Sequence, residues 1–215
     1  MCYITDRSQF PRDEATRRRL LLGKIVEAAR CGIDYIQLRE KDLCVRDLES
    51  LAGQASAALG AYAASTKLLV NSRLDVAMAC GTNGVHLRSQ DISPHDVRYI
   101  YGRSTELEYS ASPAISVSCH TSEEVARAAA AGATMVLFGP VFEKRSAPDV
   151  RPAGLSGLRK ACQYNIPVLA LGGITLENAQ SCIDAGAAGI AAIRLFQAND
   201  IAEIVRKLGT ANAQI

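Results

Sequence analysis

Gln37, Arg39 and Lys41 stand two residues apart in the stretch Tyr35-Ile36-Gln37-Leu38-Arg39-Glu40-Lys41. Its β-branched and aromatic start reads as a strand, preceded by Gly32 and by a helical segment that ends near Cys31. Strand alternation then sends Gln37, Arg39 and Lys41 to one face and Ile36, Leu38 and Glu40 to the other. An amide and two cations would form a row at a spacing of about 6–7 Å. Unpaired buried cations are costly, so such a row calls for carboxylates or an anionic ligand. The plainer alternative is a solvated strand end with three polar side chains, and only the surrounding architecture separates the two.

Other residues also carry chemical potential. His120 is of the residue type best suited to acid–base work near neutral pH, or it simply hydrogen-bonds its own loop. Cys119 beside it is a weak candidate nucleophile. His86 lies in the apolar run Val85-His86-Leu87 and reads as structural, and His95 as a surface residue. Asn71 could help hold an anion, or cap the helix after it. Asp91 could bind a divalent cation that bridges phosphate oxygens, as hard oxygen ligands do for Mg²⁺, or serve the turn before Ile92-Ser93-Pro94. Gly172-Gly173 exposes backbone amides ahead of a helix, which suits an anion, or merely permits a tight turn.

The elements that must position these residues alternate regularly. Strands are expected at Cys2–Asp6, Tyr35–Glu40, Lys67–Asn71, Gly84–Leu87, Ala114–Cys119, Met135–Val141, Pro167–Gly173 and Gly189–Arg194. Helices are expected at Thr16–Cys31, Val45–Ala63, Ser72–Cys80, Ser93–Ile100, Ser122–Ala131, Leu155–Tyr164, Leu176–Ala185 and Asp200–Leu208. Thr121-Ser122-Glu123-Glu124 has the form of a helix cap, and that helix stops at Ala131-Gly132. Helix, small residues around a glycine, then strand recurs at Ala29–Tyr35, Ala79–Leu87, Ala130–Phe138 and Ala185–Ile193. Eight strands, each followed by a helix, in 215 residues predict a single-domain (β/α)8 TIM barrel over residues 1–215. An open doubly wound sheet is the alternative, but the first strand is followed by Asp6-Arg7-Ser8 and not by a glycine fingerprint.

Composition narrows the partners. A net charge of +2 with scattered Lys and Arg gives no nucleic-acid footprint, and Arg17-Arg18-Arg19 reads as a solvated helix end. No apolar run approaches the roughly 20 residues of a membrane span. The seven cysteines are odd in number and lack a CxxC pair, which fits free thiols in a reducing cytoplasm. Oligomeric state stays open, a homo-oligomer included.

In a (β/α)8 barrel the loops after the strands build the active site, so polar residues at strand ends become candidates. That filter selects Asp6, Gln37, Arg39, Lys41, Asn71, Arg88, Asp91, Ser118, His120, the loop from Gly139 to Gly154, Gly172-Gly173 and Arg194. The loops after the seventh and eighth strands, at Gly172-Gly173 and Ile193-Arg194, hold the recurrent phosphate site of this fold. Two anion sites at one mouth would suit a pair of small phosphorylated substrates.

The ordered series resembles the thiamine phosphate synthase and thiazole tautomerase superfamily. It runs from Tyr3-Ile4-Thr5-Asp6 through Gln37-Leu38-Arg39-Glu40-Lys41, Val70-Asn71-Ser72-Arg73 and Gly84-Val85-His86-Leu87 with Asp91. It continues through Val117-Ser118-Cys119-His120, Gly139-Pro140-Val141-Phe142, Gly154-Leu155 and Ala170-Leu171-Gly172-Gly173-Ile174. The resemblance implies a transferase that couples a hydroxymethylpyrimidine diphosphate to a hydroxyethylthiazole phosphate, giving thiamine phosphate and pyrophosphate. Gln37, Arg39, Lys41 and Asn71 would hold the diphosphate, Asp91 would bind Mg²⁺, Ser118 would contact the pyrimidine, and Gly172 with Ile193-Arg194 would hold the thiazole phosphate. Three departures stand out. Ser72 occupies a position where synthases carry a second acidic metal ligand. Glu143-Lys144-Arg145-Ser146-Ala147 stands in place of a Thr-x-Thr-Lys loop, and Arg194 in place of a small residue. Lys144, Arg145, Arg88 and Arg194 are then expected to restore positive charge. The tautomerase branch, with His120 as its acid–base group, is the runner-up, and a non-catalytic binder of phosphate ligands the third reading.

Overall fold

The computed structural model describes residues 1–11, 13–62, 65–103, 112–143 and 149–212. Lys144, an expected substrate contact, and its neighbour Arg145 lie outside the described residues.

Eight parallel strands close into a barrel in sequence order. They are β1 (Cys2–Ile4), β2 (Tyr35–Leu38), β3 (Lys67–Asn71), β4 (Gly84–Leu87), β5 (Ala114–Cys119), β6 (Met135–Phe138), β7 (Val168–Leu171) and β8 (Gly189–Ala192). Among the described residues the helices are α1 (Glu14–Arg30), α2 (Val45–Ala61), α3 (Leu74–Ala79), α4 (Pro94–Arg103), α5 (Ser122–Ala130), α6 (Gly154–Ala161), α7 (Leu176–Asp184), α8 (Arg194–Gln197) and α9 (Ile201–Asn212). The expected (β/α)8 barrel is the observed one. Strands buried on both faces read as continuous apolar runs, as Met135–Phe138 and Val168–Leu171 do.

Local signals set the helix ends. The Asp13 carboxylate accepts from the Thr16 amide at the start of α1. At α5 the Thr121 hydroxyl accepts from the Glu124 amide while the Glu124 carboxylate accepts from the Thr121 amide, so two otherwise orphaned donors are satisfied. After α5 the chain reverses at Gly132, whose φ of +86° suits a residue without Cβ.

The strands stop earlier than expected. β2 ends at Leu38, β7 at Leu171 and β8 at Ala192, each just before its polar or glycine-rich tip. The alternation argument for Gln37, Arg39 and Lys41 therefore holds only as far as Leu38. Lys41 sits in an exposed turn and not in a row with Gln37. Two short helical elements were not foreseen: a 3₁₀ turn at Arg7–Gln9, and α8 directly after β8.

The chain's contacts fall into two compact units, Cys2–Gly84 with Ile193–Ile215, and Val85–Ala192 with Met1. In the first, β2 lies between β1 and β3, with Ile4 opposite Gln37 and Gln37 opposite Leu69. In the second, β5 to β8 run side by side, with Ser118 opposite Leu137.

Candidate active site

In the Cys2–Gly84 unit, register brings Gln37 of β2 and Asn71 of β3 together. Gln37 is 2% exposed, and its amide nitrogen donates to the Asn71 side-chain oxygen at 2.8 Å. Asn71 in turn donates to the Ser72 hydroxyl at 3.1 Å. Asn71 therefore does not cap the following helix, whose N-cap position is Arg73. Ser72 has a φ of +59°, a conformation uncommon for a residue with a side chain. The Gln37 side-chain oxygen is buried and meets no donor among the described residues. A buried acceptor left in that state costs roughly 1–3 kcal/mol, so it marks a place where a ligand's N–H group would be stabilised.

Arg39 follows, half-buried, its backbone amide held by the Thr5 hydroxyl at 2.9 Å. Burial pushes its guanidinium pKa down from the usual value, opposed by the charges of Asp6 and Glu40. Burial raises the cost of a bare cation and favours an anionic partner. Glu40, expected on the far face, is indeed buried, and it is engaged by the Thr5 hydroxyl and by Arg7. The 3₁₀ turn that carries Arg7 is fixed by Asp6, whose carboxylate accepts from the Ser8 hydroxyl and from the Gln9 side-chain nitrogen.

Gln197 escaped the sequence reading altogether. It lies on α8, accepts from the Tyr3 hydroxyl at 2.9 Å and donates to the Asp6 carbonyl at 2.6 Å. No spacing rule connects Gln197 to Tyr3, 194 residues away. The Arg194 side chain on the same helix is exposed, and Ile193 occupies the helix's N-cap position.

In the Val85–Ala192 unit, His86 is buried between two hydroxyls. Its Nδ1 lies 3.0 Å from Ser116 Oγ and its Nε2 lies 2.9 Å from Ser118 Oγ. The structural role expected for His86 is thus joined to Ser118, a substrate candidate. Asp91 and Ser118 also line a common cavity of about 330 Å³, with Arg88, Ser93, Val117 and Cys119 on its wall.

Asp91 is already occupied. One carboxylate oxygen accepts from the Arg88 backbone amide at 2.8 Å, and the other from Arg88 Nη2 at 2.9 Å. This is the turn-forming role that competed with metal binding. Among the described residues no group of three or more His, Cys, Asp and Glu side chains could cage a metal. Mg²⁺ seldom needs a cage, since one or two carboxylates with substrate phosphates and water suffice. Asp91 meets that minimum if Arg88, 65% exposed in its side chain, swings away. Ser72 offers only a hydroxyl.

His120 is exposed, with Nδ1 hydrogen-bonded to the Gly139 carbonyl and its backbone amide to Glu124. With the carbonyl as acceptor, Nδ1 carries the proton, and Nε2 is the nitrogen available for proton exchange. Cys119 is buried, and burial pushes its thiol up to about 12, which removes it as a nucleophile. Gly172 and Gly173 have φ values of +97° and +66°. A Cβ on Gly173 would stand 2.5 Å from the Glu143 carbonyl oxygen, so the tight-turn role is real whatever else the pair does.

The model of the thiamine monophosphate synthase family matches residues 2–196. The chain belongs to that family. It is 42% identical over 192 residues to the thiamine-phosphate synthase of Roseiflexus sp. (strain RS-1), covering 88% of this chain and 75% of that protein. With the putative thiamine-phosphate synthase 2 of Aquifex aeolicus (strain VF5) it shares 35% identity over 194 residues, covering 90% and 95%. Among solved structures it is similar to a thiamine phosphate pyrophosphorylase from Pyrococcus furiosus, with a TM-score of 0.79, 28% identity, and coverage of 99% and 95%. The 3-hexulose-6-phosphate synthase of Salmonella typhimurium, at 14% identity and a TM-score of 0.64, shares the fold. The resemblance drawn from the ordered motifs was therefore to the right family, despite the departures at Ser72 and Arg194.

Proposed function

We propose that this chain is a thiamine-phosphate synthase, a transferase that joins hydroxymethylpyrimidine diphosphate to hydroxyethylthiazole phosphate and releases pyrophosphate. The observation that carries the reading, within a chain of this family, is the Gln37–Asn71 pair beside half-buried Arg39. Gln37 presents a buried acceptor that wants an N–H group, and Arg39 a cation that wants an anion. A nitrogen-rich ring bearing a diphosphate offers both. An acceptor oxygen repels phosphate, so we assign Gln37 to the pyrimidine, and Arg39, Lys41 and Asn71 to the diphosphate.

The bond from the pyrimidine methylene to the diphosphate oxygen breaks, and the electron pair leaves with pyrophosphate. The thiazole nitrogen then forms its new bond to the cationic methylene. Negative charge grows on the leaving group, where Arg39 and Lys41 stabilise it more in the transition state than in the ground state. Ser118, oriented by His86, contacts the pyrimidine. Backbone groups at Gly172 and Gly173, and separately at Ile193 and Arg194, are assigned to the thiazole phosphate. Asp91 would hold Mg²⁺, with the Ser72 hydroxyl as the other candidate ligand, and the ion would supply positive charge to the leaving group.

No helix among the described residues is long and apolar enough to cross a membrane. We place the enzyme in the cytoplasm, as one domain acting on small phosphorylated substrates. A second reading, proton transfer by a thiazole tautomerase, is favoured by the exposed His120 ring with Nδ1 tied to Gly139. Supplying the purified chain with both synthase substrates and Mg²⁺ tests the choice. Stoichiometric pyrophosphate and thiamine phosphate are expected; turnover of a carboxylated thiazole phosphate without pyrophosphate would establish the tautomerase instead.

A further inference from the structure

Gln37, Asn71 and Ser72 form a hydrogen-bonded relay with a definite sense. The Gln37 side-chain nitrogen donates to the Asn71 side-chain oxygen at 2.8 Å, and the Asn71 side-chain nitrogen donates to the Ser72 hydroxyl at 3.1 Å. Gln37 is 2% exposed, and its side-chain oxygen meets no donor among the described residues. A primary amide has nearly the same shape either way round, so its partners decide which end is oxygen. The last partner of this relay is a hydroxyl, which can accept or donate. Turned round as a set, Ser72 would donate to the Asn71 oxygen and the Asn71 nitrogen to the Gln37 oxygen. The Gln37 nitrogen would then face the ligand. Both senses keep the Gln37–Asn71 and Asn71–Ser72 bonds and differ in what Gln37 offers, an acceptor in one and a donor in the other.

We propose that Ser72 is a positioning residue for specificity: its hydroxyl leaves the relay reversible, so that Gln37 receives a pyrimidine bearing either an exocyclic amine or an exocyclic carbonyl. The proposal rests on the assignment of Gln37 to the pyrimidine above. An amine N–H pairs with the Gln37 oxygen in the sense observed. A carbonyl would meet that oxygen lone pair to lone pair and leave a buried acceptor unpaired, unless the relay turns. A side chain that only accepts, standing in place of the hydroxyl, would hold the Asn71 nitrogen and allow one sense alone. Ser72 touches no ring atom in this scheme and acts through Asn71 and Gln37. A hydroxyl that merely braced the turn after β3 would have no bearing on which ring substituent is preferred.

Calorimetric titration of the full chain with the amino and the oxo forms of the pyrimidine diphosphate, with Mg²⁺ present, separates the two roles. Both ligands carry the same diphosphate, so any change at the metal or the phosphates cancels in the ratio of their dissociation constants. The wild-type chain should bind the two within about tenfold of each other, and Ser72→Asp should widen the preference for the amino form by at least about tenfold. Aspartate adopts the left-handed backbone found at Ser72, φ +59°, more readily than most residues, so the turn is kept. Asn71→Asp locks the same sense from the middle of the relay, because its carboxylate can only accept from Gln37. It replaces Ser72→Asp if that variant does not fold, and must widen the preference in the same direction. A wild-type gap beyond about tenfold, or a gap that the folded variant leaves unwidened, overturns the proposal while leaving the synthase reading intact. A wild-type chain that binds neither form overturns both.

Discussion

The strand tips of the Cys2–Gly84 unit and those of the Val85–Ala192 unit are satisfied by different means. Around β2 and β3 a buried guanidinium collects the carboxylates, a half-buried guanidinium follows the strand, and the Gln37 amide oxygen meets no donor among the described residues. Around β4, β5 and β6 the candidate groups already have partners within the unit. His86 holds two serines, Asp91 holds Arg88, and His120 holds Gly139. The first region presents a half-buried cation and a buried acceptor already held in place, which is the condition for strong electrostatic stabilisation at little reorganisation cost. The second must exchange an internal partner for a ligand, so its contributions to binding are differences between two similar interactions.

That contrast can be broken experimentally. Replacing Arg39 by Ala should have the largest effect, lowering kcat/KM for pyrophosphate release by about 10²–10³-fold, the range for losing a preorganised charge-stabilising group. A drop under about tenfold in steady-state kinetics would mean that the first region is not the leaving-group site. His86→Ala should come next. It strands the buried Ser116 hydroxyl and frees Ser118, costing about 1–3 kcal/mol in chemical denaturation. It should also raise the KM for the pyrimidine substrate more than that for the thiazole, and equal changes in both would detach Ser118 from the pyrimidine. Arg88→Ala should be the smallest perturbation, because an exposed ion pair is worth only about 0–1 kcal/mol. It frees the Asp91 oxygen that Arg88 Nη2 holds while the bond to the backbone amide stays, so Mn²⁺ binding followed by electron paramagnetic resonance with pyrophosphate present should tighten up to about fivefold. Unchanged or weaker Mn²⁺ binding would remove Asp91 as the metal contact.

The sequence was most informative where the signal was periodic or local. Apolar runs, glycine junctions and the Thr121–Glu124 cap were sufficient for the barrel, and the motif order for the family. It misled at the strand tips. Alternation predicted a row of Gln37, Arg39 and Lys41, yet β2 ends at Leu38, because beyond that point side-chain partners such as Thr5 and Arg7 shape the loop. For Asn71 it left two roles open, and the contact with Gln37 chose between them. For Asp91 and His120 it also left two roles open, and the local hydrogen bond to the loop is present in each case.

By itself, then, the chain's sequence determined the number and order of its strands, the longer helices that follow them, its family, and a roster of polar residues near strand ends. Only the tertiary structure decided which of them meet. The pairs Thr5–Glu40, Arg7–Asp42, Gln37–Asn71 and His86–Ser118 join residues 32 to 35 positions apart. That separation is one full strand–helix repeat, across which parallel register sets the neighbours. Local propensity and spacing act over a few residues, so they fix each element's shape without specifying which side chain faces it from the next strand.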